Sequence, residues 1–342
     1  MGVNIRDLLI RHELTLDELA GKTIAVDAFN MLFQFLTTIR APDGNYLTDS
    51  KGHVTSHLIG LFHRTTALLE HGAKLIFVFD GTPPGLKQQE IQRRAGIKAD
   101  AREEYQDAQE RQDTDAMRKY AARTTTLTKD MLNDAKKLLT LLGIPCVQAP
   151  SEAEAQCALL VRQGIAWAVA SQDYDALVYG APRVIQNLSI VGRRKKIHGK
   201  GTITVNPVRI DLQENLTALG IRQEQLALLA MLVGTDFNYG GIKGIGPKKA
   251  LAFIKKNMSP EDLFTNVQWS ATQLVPWQQV YDTIMHIPID SGLEIPVVQL
   301  SPDELQRFLV DEHDFSKERV QATLQSLLKR PKNQTGLSAY FS

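Results

Sequence analysis

The sequence predicts an α/β protein with a central, mostly parallel sheet flanked by helices. Short apolar runs at 23–26, 75–79, 143–147 and 167–170 have the length and composition of buried parallel strands. Segments with helical character lie between them, as in a chain that alternates strand and helix. Each run leads into an acidic residue. Because ligands of open α/β sheets bind beyond the carboxyl ends of the strands, the sequence predicts the functional site at that edge.

Composition narrows the class of protein. The chain has 342 residues, of which 43% are hydrophobic and 23% are charged, an ordinary globular balance. No apolar run approaches the roughly 20 residues of a membrane-spanning helix, and the first residues lack the apolar region of a signal peptide. We therefore expect a cytoplasmic protein with no membrane association. Cys146 and Cys157 form neither a Cys-x-x-Cys pair nor a zinc pattern, which favours reduced thiols.

Changes in amino-acid composition along the chain indicate its predicted organisation. Residues 87–123 are rich in charged residues and poor in large apolar ones, which indicates an exposed helical insertion. Residues 131–191 return to alternating helix and strand, and 207–330 are expected to be largely helical. Residues 193–201 form a predicted basic loop. Within it, 193–196 is open to interpretation as a duplex contact, a nuclear address or a solvated loop.

Acidic residues follow the predicted strands and are candidate metal ligands. Carboxylates that lie close together repel one another unless cations lie between them. A set without Cys or His favours Mg²⁺ or Mn²⁺, and two such ions can stabilise an in-line phosphoryl displacement. The candidates are Asp27, Asp80, Glu152, Glu154, Asp173 and Asp175.

Alternatives remain open for individual acids. Asp173 and Asp175 would share one face of an extended chain. Glu154 fits a capping box with Ser151 as well as it fits a ligand. Asp236 follows a predicted apolar helix, and by itself it is an ordinary polar residue after a helix end. A strand-end Asp can be a cap or turn residue, but the repetition on four strands favours a metal site.

A glycine-rich turn at 240–250 links two predicted helices. Pro247 suits the first position of the second helix. The backbone can approach a ligand closely at Gly244 and Gly246, and helix amides together with Lys248 and Lys249 suit a phosphate. The alternative is a tight helix–helix turn with solvated lysines.

Several segments, taken together, resemble the flap endonuclease family of structure-specific 5′ nucleases over nearly the whole chain. They are 26–28 (Val-Asp-Ala), 77–81 (Phe-Val-Phe-Asp-Gly), 150–156 (Pro-Ser-Glu-Ala-Glu-Ala-Gln), 171–175 (Ser-Gln-Asp-Tyr-Asp), 233–236 (Val-Gly-Thr-Asp), 244–249 (Gly-Ile-Gly-Pro-Lys-Lys) and 311–315 (Asp-Glu-His-Asp-Phe). The resemblance implies a 5′ nuclease (PIN-like) fold in one nuclease domain, 1–330. That domain would comprise the first part of the sheet at 1–86, a helical arch at 87–130 and an internal part at 131–330. A DNA-binding helix–turn–helix would lie near 226–256.

The resemblance also implies an activity. We expect a monomeric, Mg²⁺-dependent flap endonuclease with 5′–3′ exonuclease activity, which removes 5′ flaps from branched DNA in lagging-strand replication and repair. Two Mg²⁺ ions, replaceable by Mn²⁺, would serve each active site. The open alternatives are a non-catalytic DNA-junction scaffold that recruits a sliding clamp, or a bubble-cutting or exonuclease member of the same superfamily.

Residue roles carry over from the family onto matching positions. The metal acids would be Asp27, Asp80, Glu152, Glu154, Asp173, Asp175 and Asp236. Lys87 and Arg94 would contact the scissile phosphate, and Phe33 would stack on a base unless it is a core residue. Arg40 and Arg64 would contact duplex DNA, and Gly2 would lie near the active site. Thr82 stands where Lys is common in the family, which affects one expected phosphate contact.

The uncharged C-terminal segment resembles a motif that docks on sliding clamps. Gln334, Leu337, Tyr340 and Phe341 have its spacing, and on a helical turn the last three share one face. We expect residues 331–342 to bind the sliding clamp (PCNA), with a frayed terminus as the alternative. No long basic extension follows, which is typical of archaeal members.

Overall fold

The computed structural model describes residues 2–111, 113–190, 192–195 and 202–329. Contacts between Cα atoms divide the chain into two compact units. Unit 1 holds the described parts of 1–15, 78–91 and 148–293, and unit 2 holds those of 16–77, 92–147 and 294–342. The clamp-motif residues Gln334, Leu337, Tyr340 and Phe341 lie outside the described residues.

The strands confirm the predicted α/β class. They are β1 His12–Glu13, β2 Thr23–Asp27, β3 Lys74–Phe79, β4 Cys146–Gln148, β5 Ala168–Ala170, β6 Arg183–Gln186, β7 Gly192–Lys195, β8 Thr202–Val205 and β9 Val208–Asp211. All except β7 and β8 belong to a mixed, seven-stranded sheet that is flanked by helices.

Helices lie between and after these strands along the sequence. They are α1 Ala28–Thr38, α2 Ser56–Glu70, α3 Gln88–Glu110, α4 Thr114–Arg123, α5 Lys129–Leu141, α6 Ala153–Arg162, α7 Asp175–Val178, α8 Leu212–Leu219, α9 Gln223–Val233, α10 Pro247–Ile254, α11 Pro260–Asn266, α12 Trp269–Thr272, α13 Trp277–Met285, α14 Pro302–Gln306 and α15 Lys317–Leu328. Short 3₁₀ turns lie at Arg6–Leu8, Asp17–Leu19 and Gly85–Lys87, and a π-helical turn lies at Arg307–Glu312.

In unit 1 the strand order is β1–β9–β6–β5. Strands β5 and β6 are parallel, with Val169 opposite Val184, but β9 runs antiparallel to both β6 and β1. The expectation of a largely helical segment from residue 207 onward is therefore wrong for 208–211. Strand β9 is short and only half buried, so its sequence lacks the continuous apolar run that marks the inner strands.

The predicted basic loop is partly a β-hairpin. Residues 192–195 pair antiparallel with 202–205, and Lys195 lies opposite Thr202. Of the predicted loop 193–201, residues 193–195 are therefore a strand and not a loop. Residues 196–201 lie outside the described part of the chain.

In unit 2, buried strand β2 precedes α1, and β3 lies between β2 and β4 in the strand order. Helix α2 approaches α1 closely because position 60 is Gly. A Cβ there would lie 2.3 Å from Cγ of Phe35, so any larger residue would force the helices apart. Leu58, Leu61 and Phe62 of α2 are at most 1% exposed and complete this part of the core.

The charged insertion forms helices α3 and α4, as expected from its composition. The residues that it buries include Ala101, Ala108, Met117 and Ala121, a narrow stripe of mostly small side chains. Among the described residues, no single helix is long and apolar enough to cross a membrane. The bent pair α8 and α9, at 79°, meets that length and composition only when taken together.

One histidine of α2, His57, is fully buried. Burial lowers its pKa to about 4, with a smaller lowering from the charge of His313 and a still smaller opposing effect of the Met131 backbone. The folded protein therefore holds His57 neutral, whereas the unfolded chain binds a proton below about pH 6.5.

We expect acid to destabilise the fold through His57. Because the folded pKa lies below the unfolded value, stability falls as pH drops from about 6.5 to 4, by up to about 3 kcal/mol. Urea unfolding across this range would measure it, and His57→Leu should flatten the slope. His71→Gln, at a surface position, is the matched control. An unchanged slope in His57→Leu would contradict this assignment.

Candidate active site

Six of the predicted acids lie in unit 1, at the ends of strands and the starts of helices. Asp80 follows β3, and Asp173 lies in the turn after β5. Glu152 and Glu154 stand at the start of α6, Asp175 is the first residue of α7, and Asp236 follows α9. Alternation of strand and helix thus brings acids from distant parts of the sequence to helix starts in one unit.

Electrostatic effects show that these carboxylates are close neighbours. Burial raises the pKa of Asp80, and the charge of Asp236 raises it further. Burial raises the pKa of Asp175 to about 7, with Asp173 as the next cause and Asp236 as a smaller one. The pKa of Glu152 is also raised by burial, and by Asp80 and Asp236. Each carboxylate therefore makes ionisation of another more costly.

Lys87 is the cation inside this group of acids. It ends the 3₁₀ turn before α3, and its side chain is only 17% exposed. Its Nζ contacts Oε2 of Glu152 and lies 3.3 Å from Oδ2 of Asp236. Burial lowers the pKa of Lys87, but Glu152, Asp236 and Asp80 outweigh burial and raise it above the usual range.

Neutral donors hold other carboxylates in place. The Ala153 amide donates to Oδ1 of Asp80 at 2.7 Å, at the N-terminus of α6. Ser171 Oγ donates to Oε1 of Glu154 at 2.5 Å. The capping-box alternative for Glu154 is wrong, because Glu152 occupies the N-cap and the buried Ser151 Oγ has no hydrogen-bond partner among the described residues.

Gly2 lies directly against Asp175. The Val3 amide donates to Oδ1 of Asp175 at 2.9 Å, and a Cβ on residue 2 would stand 2.5 Å from Oδ2. A larger residue at this position would have to displace the Asp175 carboxylate. The expected proximity of Gly2 to the acids thus has a direct structural cause.

The expected geometry of Asp173 and Asp175 is wrong in one respect. The two residues do not share a face of an extended strand, because β5 ends at Ala170 and a bend follows. Asp175 instead begins α7. The pair still interacts, since Asp173 raises the pKa of Asp175.

Asp27 belongs to unit 2. It is the last residue of β2 and 8% exposed, and its Oδ1 accepts a hydrogen bond at 3.0 Å from the Asn30 amide, which caps α1. The capping role that the sequence left open for strand-end acids is therefore present at this residue.

Sequence reasoning missed Tyr179, which follows α7. Burial raises the pKa of this tyrosine strongly, and Glu152, Asp175, Glu154 and Asp236 each raise it further. Its neighbours are thus the same acids. An apolar helix followed by a Tyr carries no sequence signal for this placement.

A separate acidic group in unit 1 is already neutralised by the chain. His12, Asp211 and Glu214 have potential ligand atoms within 4.8 Å of one another. However, Arg183 and Arg209 donate to the two oxygens of Asp211 at 3.0 and 2.7 Å, and His12 pairs with Glu214 at 2.8 Å. These side chains occupy oxygens that a metal ion would need, so we do not assign one here.

Comparison with known proteins identifies the family. The XPG N-terminal domain matches residues 2–101, and the XPG I-region matches residues 143–236. Flap endonuclease 1 of Hyperthermus butylicus is 45% identical over 350 residues, covering 99% of each chain. Flap endonuclease 1 of Pyrococcus furiosus is 44% identical and covers 100% of this chain and 99% of its own.

The chain belongs to the flap endonuclease family.

Solved structures agree with this assignment. Flap endonuclease-1 from Methanococcus jannaschii has a TM-score of 0.73 and 36% identity, covering 95% of this chain and 98% of its own. The catalytic core of Rad2 in complex with DNA substrate has a TM-score of 0.69 and 25% identity, covering 96% and 100%. Nucleases of this family are metal-dependent.

In the helix–turn–helix of unit 1, the first part of the turn is tightly packed, and the glycines just before α10 are open to solvent. Asn238 Nδ2 donates to the Met231 carbonyl at 2.7 Å, and a Cβ on Gly241 would lie 2.4 Å from the Leu232 carbonyl. By contrast, a Cβ on Gly244 or Gly246 would meet nothing within 4 Å. Pro247 begins α10 as predicted. Lys248 and Lys249 are exposed, and Lys249 Nζ donates to the Gly244 carbonyl at 3.0 Å.

The remaining predicted DNA-contact residues lie in unit 2. Phe33 is half buried on α1, and Lys98 Nζ stands 5.3 Å from the centre of its ring. Arg40 donates to Leu36, Gly44 and Thr125 at 2.7–2.8 Å and covers the Tyr46 ring. Arg64 on α2 and Arg94 on α3 are half buried.

We expect Gly2→Ala to reduce DNA cleavage about 10²-fold, because the new methyl group displaces Asp175 by a fraction of an ångström or more. Single-turnover cleavage of a DNA substrate would measure this loss. Gly292→Ala is the control, since its Cβ would make an ordinary contact 3.6 Å from Asp290. Wild-type cleavage by Gly2→Ala would show that the contact has no role.

Proposed function

We propose that the protein is a structure-specific 5′ flap endonuclease with 5′–3′ exonuclease activity. It removes 5′ flaps during lagging-strand replication and repair, in the compartment that holds the chromosome, the cytoplasm of an archaeal-type cell. The observation that carries the proposal is the group of mutually interacting carboxylates around Lys87. Relatives named flap endonuclease 1 that span the full chain support the same reaction.

The donor set fits hard divalent cations. It offers carboxylate oxygens without Cys or His, which is the chemistry that Mg²⁺ and Mn²⁺ prefer. Two Mg²⁺ ions would be held by Asp27, Asp80, Glu152, Glu154, Asp173, Asp175 and Asp236. When bound, such a pair supplies an activated water and stabilises the leaving oxygen of the phosphodiester.

The chain's own residues hold the reacting groups. Lys87 and Arg94 bind the scissile phosphate and offset its developing charge. The Val3 amide keeps Asp175 in one orientation, and the Ala153 amide does the same for Asp80. Ala153 is the first residue of α6, and Val3 lies in the irregular segment before the 3₁₀ turn at Arg6–Leu8, so main-chain amides hold both carboxylates in the DNA-free protein.

Branched DNA is bound through several surfaces. Amides at the N-terminus of α10, with Gly244, Gly246, Lys248 and Lys249, bind phosphates and fix the register of the duplex without reading sequence. Phe33 stacks on a base, and Arg64 contacts the duplex. Arg40 uses three of its five N–H donors within the chain, so duplex contact relies on the other two.

We retain the domain assignment as part of the proposal. Residues 1–330 form a single nuclease domain that acts as a monomer, with 87–130 as an arch around the single strand and a helix–turn–helix near 226–256. Residues 331–342 tether the enzyme to the sliding clamp (PCNA) through Gln334, Leu337, Tyr340 and Phe341. An aliphatic anchor with two aromatic residues suits a hydrophobic pocket.

Two alternatives to a flap endonuclease can be distinguished by the DNA substrates that the protein cleaves. A bubble-cutting or exonuclease member of the superfamily would process bubble or blunt duplex substrates faster than a 5′ flap. A non-catalytic junction scaffold would bind all of them without cleavage. The complete set of acids favours catalysis, and the helical insertion favours flap cutting. A 5′-flap substrate labelled at each end, with and without Mg²⁺, tests all three.

We expect Asp80→Asn and Asp175→Asn to lower cleavage by at least about 10²–10³-fold while DNA affinity stays within about twofold, because each removes a metal-binding charge but no DNA contact. Cleavage rates and equilibrium binding on the same flap substrate separate the two effects. Asp303→Asn, on the exposed first turn of α14, is the matched control. Near-normal turnover in either variant would contradict the two-metal assignment.

Deletion of residues 334–342 should abolish binding to the sliding clamp and leave cleavage of isolated flap DNA unchanged. The segment contains the aromatic residues of the docking motif and none of the proposed metal-binding acids. Clamp affinity by calorimetry and cleavage with and without clamp are the measurements. Clamp binding that survives the deletion would place the docking site elsewhere.

A further inference from the structure

Lys87 uses the same carboxylate oxygens that a metal ion would need. Its Nζ contacts Oε2 of Glu152 and lies 3.3 Å from Oδ2 of Asp236, and Asp80 also acts on its charge. All three acids belong to the proposed metal set. A contact from Lys87 to a phosphate would use the same three N–H donors of its ammonium group that make these ion pairs.

The charge balance makes the competition strong. Lys87 supplies a single positive charge to a site where Lys87, Glu152 and Asp236 are each at most 17% exposed. Charges that are largely removed from water interact several times more strongly than exposed ones. A divalent ion brings twice the charge of an ammonium to the same oxygens, and once bound it removes most of the attraction that holds Lys87.

We propose that Lys87 is an internal counter-ion of the acidic site, exchanged for divalent metal, so that metal loading releases its ammonium group toward the phosphate. The inference deepens the proposed function and rests on it. It gives Lys87 two successive partners. The ammonium limits repulsion among the acids while the metal sites are empty, and it becomes a phosphate ligand after metal has bound. The enzyme thereby couples metal loading to readiness for DNA.

Metal affinity tests the exchange directly. Titration of chelator-treated protein with Mn²⁺ by calorimetry should show binding about tenfold tighter in Lys87→Met than in wild type, because no ammonium has to be displaced. Lys255→Met removes one lysine charge from the exposed C-cap of α10 and should bind Mn²⁺ as wild type does. Equal or weaker affinity in Lys87→Met would overturn the inference, and so would equal tightening in Lys255→Met.

A second measurement uses the wild-type protein, in case Lys87→Met does not fold without metal. Amine-reactive labelling followed by mass spectrometry should modify Lys87 several-fold faster with saturating Mn²⁺ than with chelator, while the labelling rate of Lys255 stays constant. An unchanged rate at Lys87 would overturn the inference. If wild type binds no Mn²⁺ at all, the proposed function fails instead, so the two failures are distinct.

Discussion

Repulsion among buried carboxylates is the constraint on which the structure of unit 1 depends. Asp80, Glu152 and Asp175 are each harder to ionise because of burial and of neighbouring acids. Such a group is unfavourable for folding unless donors or cations offset it. The chain provides the Lys87 ammonium and the amides of Ala153 and Val3 for this purpose.

Close backbone approach is the means by which the fold satisfies this constraint. Gly2 allows the N-terminal segment to lie against Asp175, and Gly81 lies so near 149–150 that a Cβ would stand 2.1 Å from the Ala149 carbonyl. Glu154 lies in the first turn of α6 and Asp175 begins α7, and a helix N-terminus favours negative charge. Small residues and helix starts, rather than long side chains, therefore position the candidate site.

Much of this arrangement could be predicted from strand-end acids and apolar runs, because both patterns are local in sequence. The capping role of Asp27, the bend at Asp173 and the Ser171–Glu154 bond depend on where helices begin, which sequence patterns locate only approximately. Strand β9 was missed because a short, half-buried strand lacks a continuous apolar run, and the strands of the hairpin, Gly192–Lys195 and Thr202–Val205, are only four residues long and contain no such run either. Tyr179 and the ion pairs of Lys87 arise from contacts between distant segments, which no local pattern encodes.

Anomalous diffraction from crystals soaked in Mn²⁺ would locate metal ions among the carboxylates of unit 1. We expect two manganese peaks roughly 3.5–4 Å apart, bound by carboxylates of the acids that follow the strands. Absence of manganese from these carboxylates, or its appearance at the His12, Asp211 and Glu214 group instead, would show that these acids do not form the metal site.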